Sequence, residues 1–154
     1  PSQVAATDDD VWVTNSGSST VTHLDARTQA ALTAIAVDVT PGAVAVTDDA
    51  VWVVGTDSQS VLRIDPATDT VVATVDLSGD GGASPAGIDA TAGAVWVTDP
   101  DHDQLLRIDP GTKAVVDRID TGSRPVAVAA TDADVWVANA GDGTLTHVDP
   151  TASD

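Results

Sequence analysis

Three histidines, His23, His102 and His147, and 24 acidic residues, all aspartate, are the groups through which this 154-residue chain can move protons or hold metal ions. Glutamate and cysteine are absent, so thiol metal sites, disulfides and glutamate bases are excluded. The densest ligand set is Asp99-Pro100-Asp101-His102-Asp103. Carboxylates at alternating positions resemble the opening of a calcium loop, but the sixth-place glycine and the closing glutamate are missing, so this is no EF-hand. Two expectations stand: a solvated polar loop, or a weak calcium or magnesium site at Asp99, Asp101 and Asp103. Ser78–Ser84 is glycine-rich but lacks the lysine and the helix of a phosphate loop; it reads as a flexible connection. No nucleophile elbow and no Ser-His-Asp motif occurs. The residues therefore assign no catalytic group and no cofactor.

His23 and His147 share a third pattern. Each lies eleven residues after a tryptophan, where Arg63 and Arg107 stand in the middle of the chain. Two readings remain open. Either these are basic side chains between structural units, paired with carboxylates of the same or the next unit, or they form a ring of bases facing a ligand. A residue repeated in register is more often architectural.

The units themselves are legible from spacing. Trp12, Trp52, Trp96 and Trp136 are 40, 44 and 40 residues apart, each inside Val-Trp-Val. A proline stands eleven residues before each (Pro1, Pro41, Pro85, Pro125) and an aspartate thirteen after (Asp25, Asp65, Asp109, Asp149). The insertion at 78–84 accounts for the longer middle spacing. Each period reads as four short strands. The first is small and apolar, the second carries Val-Trp-Val, the third ends at the repeated aspartate, and the fourth follows a turn written Asp-Pro-Ala-Thr or Asp-Pro-Gly-Thr in the middle copies. Proline presets φ in such a turn and the aspartate accepts its free N–H groups. Apolar residues on both strand faces indicate a sheet covered on both sides. Four strands per period of about 40 to 45 residues is the signature of propeller blades. The fold class is thus all-β, a β-propeller with blades at about 1–40, 41–84, 85–124 and 125–154, the last incomplete.

Composition agrees. The apolar residues are mostly Val, Ala, Ile and Leu, with Thr in support, Phe, Tyr and Met are absent, and the apolar fraction is 42 %, which suits strands. The net charge of −18 opposes binding to nucleic acid or to anionic membrane. No apolar run reaches the about 20 residues of a membrane-spanning helix.

Val-Trp-Val-Thr-Asn-Ser-Gly-Ser-Ser-Thr-Val (11–21), Leu-Arg-Ile-Asp-Pro-Ala-Thr-Asp-Thr-Val-Val-Ala-Thr-Val (62–75) and Trp136-Val137-Ala138-Asn139 resemble the YVTN-type and streptogramin-lyase-like β-propeller repeats. The resemblance covers essentially the whole chain. It implies rings of six to eight blades and, for the lyase, elimination by a histidine base with a glutamate and a magnesium ion. With no glutamate in this chain, that catalytic pair has no counterpart here.

Four blades are fewer than the resemblance implies, and the fourth lacks its last strand. Pro1 begins the sequence without a leader, so the chain reads as a portion of something longer. An open blade edge favours assembly. The expectation is an open arc that pairs with a copy of itself, most simply as a dimer, or is joined by the rest of a longer propeller. Function is expected to be non-catalytic: a scaffold or sensor module, extracellular or at the cell surface, binding a protein or a small-molecule ligand. The alternative is a fragment or relative of a lyase-like enzyme.

Overall fold

The structure is a computed structural model and describes residues 1–79 and 82–151. Fifteen strands form four antiparallel sheets in strict sequence order. The first holds β1 (Gln3–Ala6), β2 (Asp10–Asn15), β3 (Thr20–Asp25) and β4 (Ala31–Ala36). The second holds β5 (Pro41–Thr47), β6 (Ala50–Gly55), β7 (Ser60–Asp65) and β8 (Thr70–Asp76). The third holds β9 (Ile88–Ala90), β10 (Val95–Asp99), β11 (Gln104–Asp109) and β12 (Ala114–Asp120), and the fourth β13 (Pro125–Ala130), β14 (Val135–Asn139) and β15 (Thr144–Val148). A single 3₁₀ turn, Ser16–Ser18, links β2 to β3. All four tryptophans sit on the second strand of their sheet. The architecture is a β-propeller arc.

The expected turn chemistry is present. Asp25 Oδ1 accepts N–H bonds from Arg27 and Thr28 (2.9 and 2.7 Å), Asp65 from Ala67 (2.8 Å), Asp109 from Gly111 and Thr112 (2.7 and 3.2 Å) and Asp149 from Thr151 (2.8 Å). The first three turns close on a left-handed residue, Gln29, Asp69 or Lys113. The strand after each turn then carries a one-residue bulge opposite His23/Leu24, Arg63/Ile64 or Arg107/Ile108. A bulge of this kind adds local twist. The third strand of the last blade ends one residue earlier than expected, at Val148, with Asp149 just outside it.

Side chains alternate between two faces along each strand. One face carries the tryptophan and packs on the following sheet; the other carries the flanking valines and packs on the preceding sheet. Three buried clusters result. Trp12, Val21 and Ile35 meet Val44, Val53 and Leu62 at joint 1–2. Trp52, Val61 and Leu77 meet Ile88, Val97 and Leu106 at joint 2–3. Trp96 and Leu105 meet Val135 and Val137 at joint 3–4. No such cluster joins the fourth sheet to the first among the described residues.

Candidate functional site: blade joints and open ends

Each joint is also tied by polar groups, and here the repeated basic position finds its place. Trp12 and His23 are opposite each other on β2 and β3, and the same pairing recurs for Trp52 and Arg63, Trp96 and Arg107, and Trp136 and His147. His23 stacks on the Trp12 indole; the Arg63 and Arg107 guanidiniums lie 5.7 and 5.5 Å from the Trp52 and Trp96 ring centres; His147 tilts over Trp136 at 4.4 Å. A flat cation or imidazole over an indole face is favourable.

The carboxylate pairing differs by blade. His23 Nε2 is 2.8 Å from Asp10 Oδ1 in its own sheet, and Nδ1 is 2.8 Å from Asp69 Oδ1 in the next. His147 Nε2 meets Asp134 Oδ1 at 2.6 Å. Arg63 Nη2 donates to the Asp49 carbonyl (3.2 Å) and reaches its carboxylate at 3.5 Å. The basic position therefore serves packing on the tryptophan face as well as charge pairing.

Backbone ties cross the joints as well. Thr14 Oγ1 donates to Gly42 O (2.7 Å) between blades one and two. Asp89, where the other blades have Ala5, Ala45 and Ala129, accepts Ala130 N–H at 2.7 Å between blades three and four.

The loop 99–103 is drawn in three directions. Asp99 is fully buried; Oδ1 accepts Ser84 N–H (3.0 Å) and Oδ2 meets His102 Nδ1 (2.8 Å). Asp101 Oδ2 accepts the Ser84 hydroxyl (2.5 Å), and Asp103 Oδ1 accepts Arg124 N–H (2.6 Å). Among the described residues no three histidine or acidic side chains are gathered as a metal would need. The magnesium that the lyase resemblance implies has no matching donor set here, because these oxygens face protein donors rather than one another. Asp57 does the same work in blade two, accepting Thr40 N–H (2.9 Å) and its hydroxyl (2.6 Å); these donors hold its carboxyl below the usual range, the hydroxyl foremost. Such carboxylates fasten the segment that enters the blade. Their signal in sequence is a Ser or Thr directly before a repeat proline, as in Thr40-Pro41 and Ser84-Pro85.

Residues 80 and 81, central to the expected flexible connection, lie outside the described residues. Its flanks are held: Leu77 and Ala83 are buried in joint 2–3.

The two ends of the arc are different from its interior. Trp12, Trp52 and Trp96 are each 1 % exposed, whereas Trp136 is 47 % exposed with Leu145 open beside it. On the first sheet Val4 is 62 % exposed, against 8 % for its counterpart Val44. The fold presents an apolar blade face at each end. Among the described residues no helix is long and apolar enough to cross a membrane.

These features define a β-propeller, and solved structures agree on the fold. A catalytically inactive virginiamycin B lyase from Staphylococcus aureus with quinupristin superposes at a TM-score of 0.82 with 15 % identity, over 98 % of this chain and 53 % of that one. BamB from Moraxella catarrhalis gives 0.76 at 14 %, over 95 % and 42 %. The computationally designed Ika4 protein gives 0.77 at 18 %, over 95 % and 88 %. This chain thus spans about half of the lyase and matches the designed protein almost end to end. No protein-family model and no curated protein sequence matches the chain.

Proposed function

We propose that the chain is a non-catalytic β-propeller module that completes its ring with a second copy of itself, two four-blade arcs making eight blades, and acts as a scaffold or sensor for a protein or small-molecule partner. The observation that carries this reading is the half-exposed Trp136. It presents the surface that three other blades bury, and the first sheet presents the valine face that, in the interior joints, covers a tryptophan. Apolar patches of this kind mark interaction surfaces. Further blades on a longer chain would cover the same faces; in either case the covering element is a blade of this repeat. Sedimentation of the 154-residue chain at micromolar concentration tests the pairing. The expected species has twice the 15.5 kDa chain mass; a stable 15.5 kDa monomer with Trp136 fluorescence unchanged on dilution overturns it.

A second reading, a lyase-like enzyme, is favoured by one pair. His102 is held through Nδ1 by the buried Asp99, an arrangement suited to orienting a base. Linearisation of a cyclic depsipeptide that is abolished by His102→Ala would establish it.

A further inference from the structure

A cleft of about 600 Å³ opens between blades one and two, within one chain and away from both open ends. Ile35, Val39 and Leu62 form its apolar floor and are buried. Asp38, Asp69 and Asp76 line it, with Thr74 of β8, and among the described residues no Lys or Arg lines it. Asp69 gives Oδ1 to His23. Asp76 is held below the usual carboxylate range by Ser78, chiefly its hydroxyl, and so is charged at neutral pH.

The corresponding cleft between blades two and three carries its own cations. Lys113 stands at the position of Asp69, seventeen residues after the tryptophan, and Arg118 at the position of Thr74, twenty-two after it. The Arg118 guanidinium crosses the joint: Nη2 donates to Gly79 O at 2.8 Å and reaches Leu77 O at 3.5 Å. One joint therefore contains an arginine from its own chain. The other keeps the apolar floor, adds a carboxylate where the lysine stood, and lacks the arginine.

We infer that the cleft between blades one and two binds an arginine side chain of a peptide or protein partner. The occupant follows from the neighbouring joint. An arginine stem can pack on apolar side chains while its planar head donates to carbonyls and carboxylates, and one joint away the Arg118 head donates to two carbonyls across the joint. The charge of the cleft selects a cation, and the depth of its apolar floor selects a long stem. This deepens the binding-module reading but does not depend on ring closure, since joint 1–2 is complete in one chain.

The test is calorimetric titration with a blocked Leu-Arg-Leu peptide and with the same peptide carrying citrulline, which has the same shape and no charge. The arginine peptide is expected to bind at least about tenfold more tightly, as charge-assisted bonds require. Thr74→Arg is expected to fill the cleft as Arg118 fills its own and to abolish binding. Asp38→Asn, at an exposed position, is expected to weaken it without lowering the melting temperature. Equal binding of the citrulline peptide, binding unchanged in Thr74→Arg, or no binding of either peptide overturns the inference. Loss of peptide binding in a chain that still sediments as a dimer removes the cleft and leaves the assembly intact.

Discussion

His23 lies flat on the indole of Trp12, with ring centres 3.9 Å apart and planes 11° from parallel, and its two ring nitrogens reach carboxylates on two different blades. Stacking fixes the ring in the plane of the joint. That orientation points Nε2 at Asp10 of its own sheet and Nδ1 at Asp69 of the next. The tie is buried, with His23 only 5 % exposed, so each partner depends on it.

Replacing His23 by alanine removes the stack and leaves two carboxylates beside an apolar joint. The expected cost is about 1–3 kcal/mol, the range for removing one partner of a buried polar contact. His23→Arg is expected to recover most of it, since Arg63 and Arg107 occupy the same place over Trp52 and Trp96. Urea unfolding of the two variants checks this; equal loss in both means the stack contributes little. Arg63→Ala tests the same position in blade two. Its pair with the exposed Asp49 is long, at 3.5 Å, and exposed pairs contribute little. Most of its effect is therefore expected from the lost packing on Trp52.

Much of this was legible in the sequence because the repeat fixes geometry. A spacing of eleven across a four-residue turn places Trp12 and His23 opposite each other in an antiparallel pair, so the stack follows once the hairpin is recognised. The aspartate turns follow from the residue types. What spacing does not contain is contact between blades. Asp69 meets His23 from 46 positions away and Arg118 meets Gly79 from 39, and only the stacking of sheets brings them together. The loop 99–103 shows the same limit. Its carboxylates alternate as ligands do, but Ser84 and Arg124, supplied by other turns, claim them first.

Acid should weaken the turns. Hydrogen bonds from the backbone of Thr28, then its side chain, hold the Asp25 carboxyl below the usual range, and those from Thr112 and then Gly111 do the same for Asp109. A carboxylate depressed in the folded state stabilises above its unfolded value, about 4, and that contribution is lost as pH falls through the lower folded value. The melting temperature is expected to lose this contribution only below about pH 4. Asparagine keeps an oxygen acceptor for the turn without titrating. Asp25→Asn with Asp109→Asn should therefore flatten the acid limb of the melting curve; an unchanged limb places the acid sensitivity elsewhere.

Calcium is expected to bind weakly or not at all, and any site to lie at Asp99, Asp101 and Asp103. To converge on an ion, these oxygens must release Ser84, His102 and Arg124, and calcium needs six to eight oxygens. Millimolar calcium is expected to leave the melting temperature unchanged. Tight binding by calorimetry that survives Asp101→Ala would place a site elsewhere.

The last prediction concerns how two arcs would meet. The two open faces are not alike: one carries Trp136 and Leu145, the other Val4. In the interior joints a tryptophan face always meets a valine face. Copies should therefore join head to tail, the fourth blade of each on the first blade of the other, giving two identical junctions that close the ring. Trp136→Asp alone puts a charge in both junctions, and so does Val4→Asp alone. Each variant is expected to sediment as a monomer. Mixed in equal amounts, they behave differently. One junction then collects both charges, while the other pairs an intact Trp136 with an intact Val4. A heterodimer held by that single junction is expected to form, weaker than the parent and dependent on concentration. A face-to-face pairing of like ends gives another pattern, in which Val4→Asp alone still dimerises through its fourth blade. Sedimentation of the two variants, separately and mixed, distinguishes these arrangements. Recovery of a dimer only in the mixture establishes the head-to-tail ring, and dimers from either variant alone exclude it.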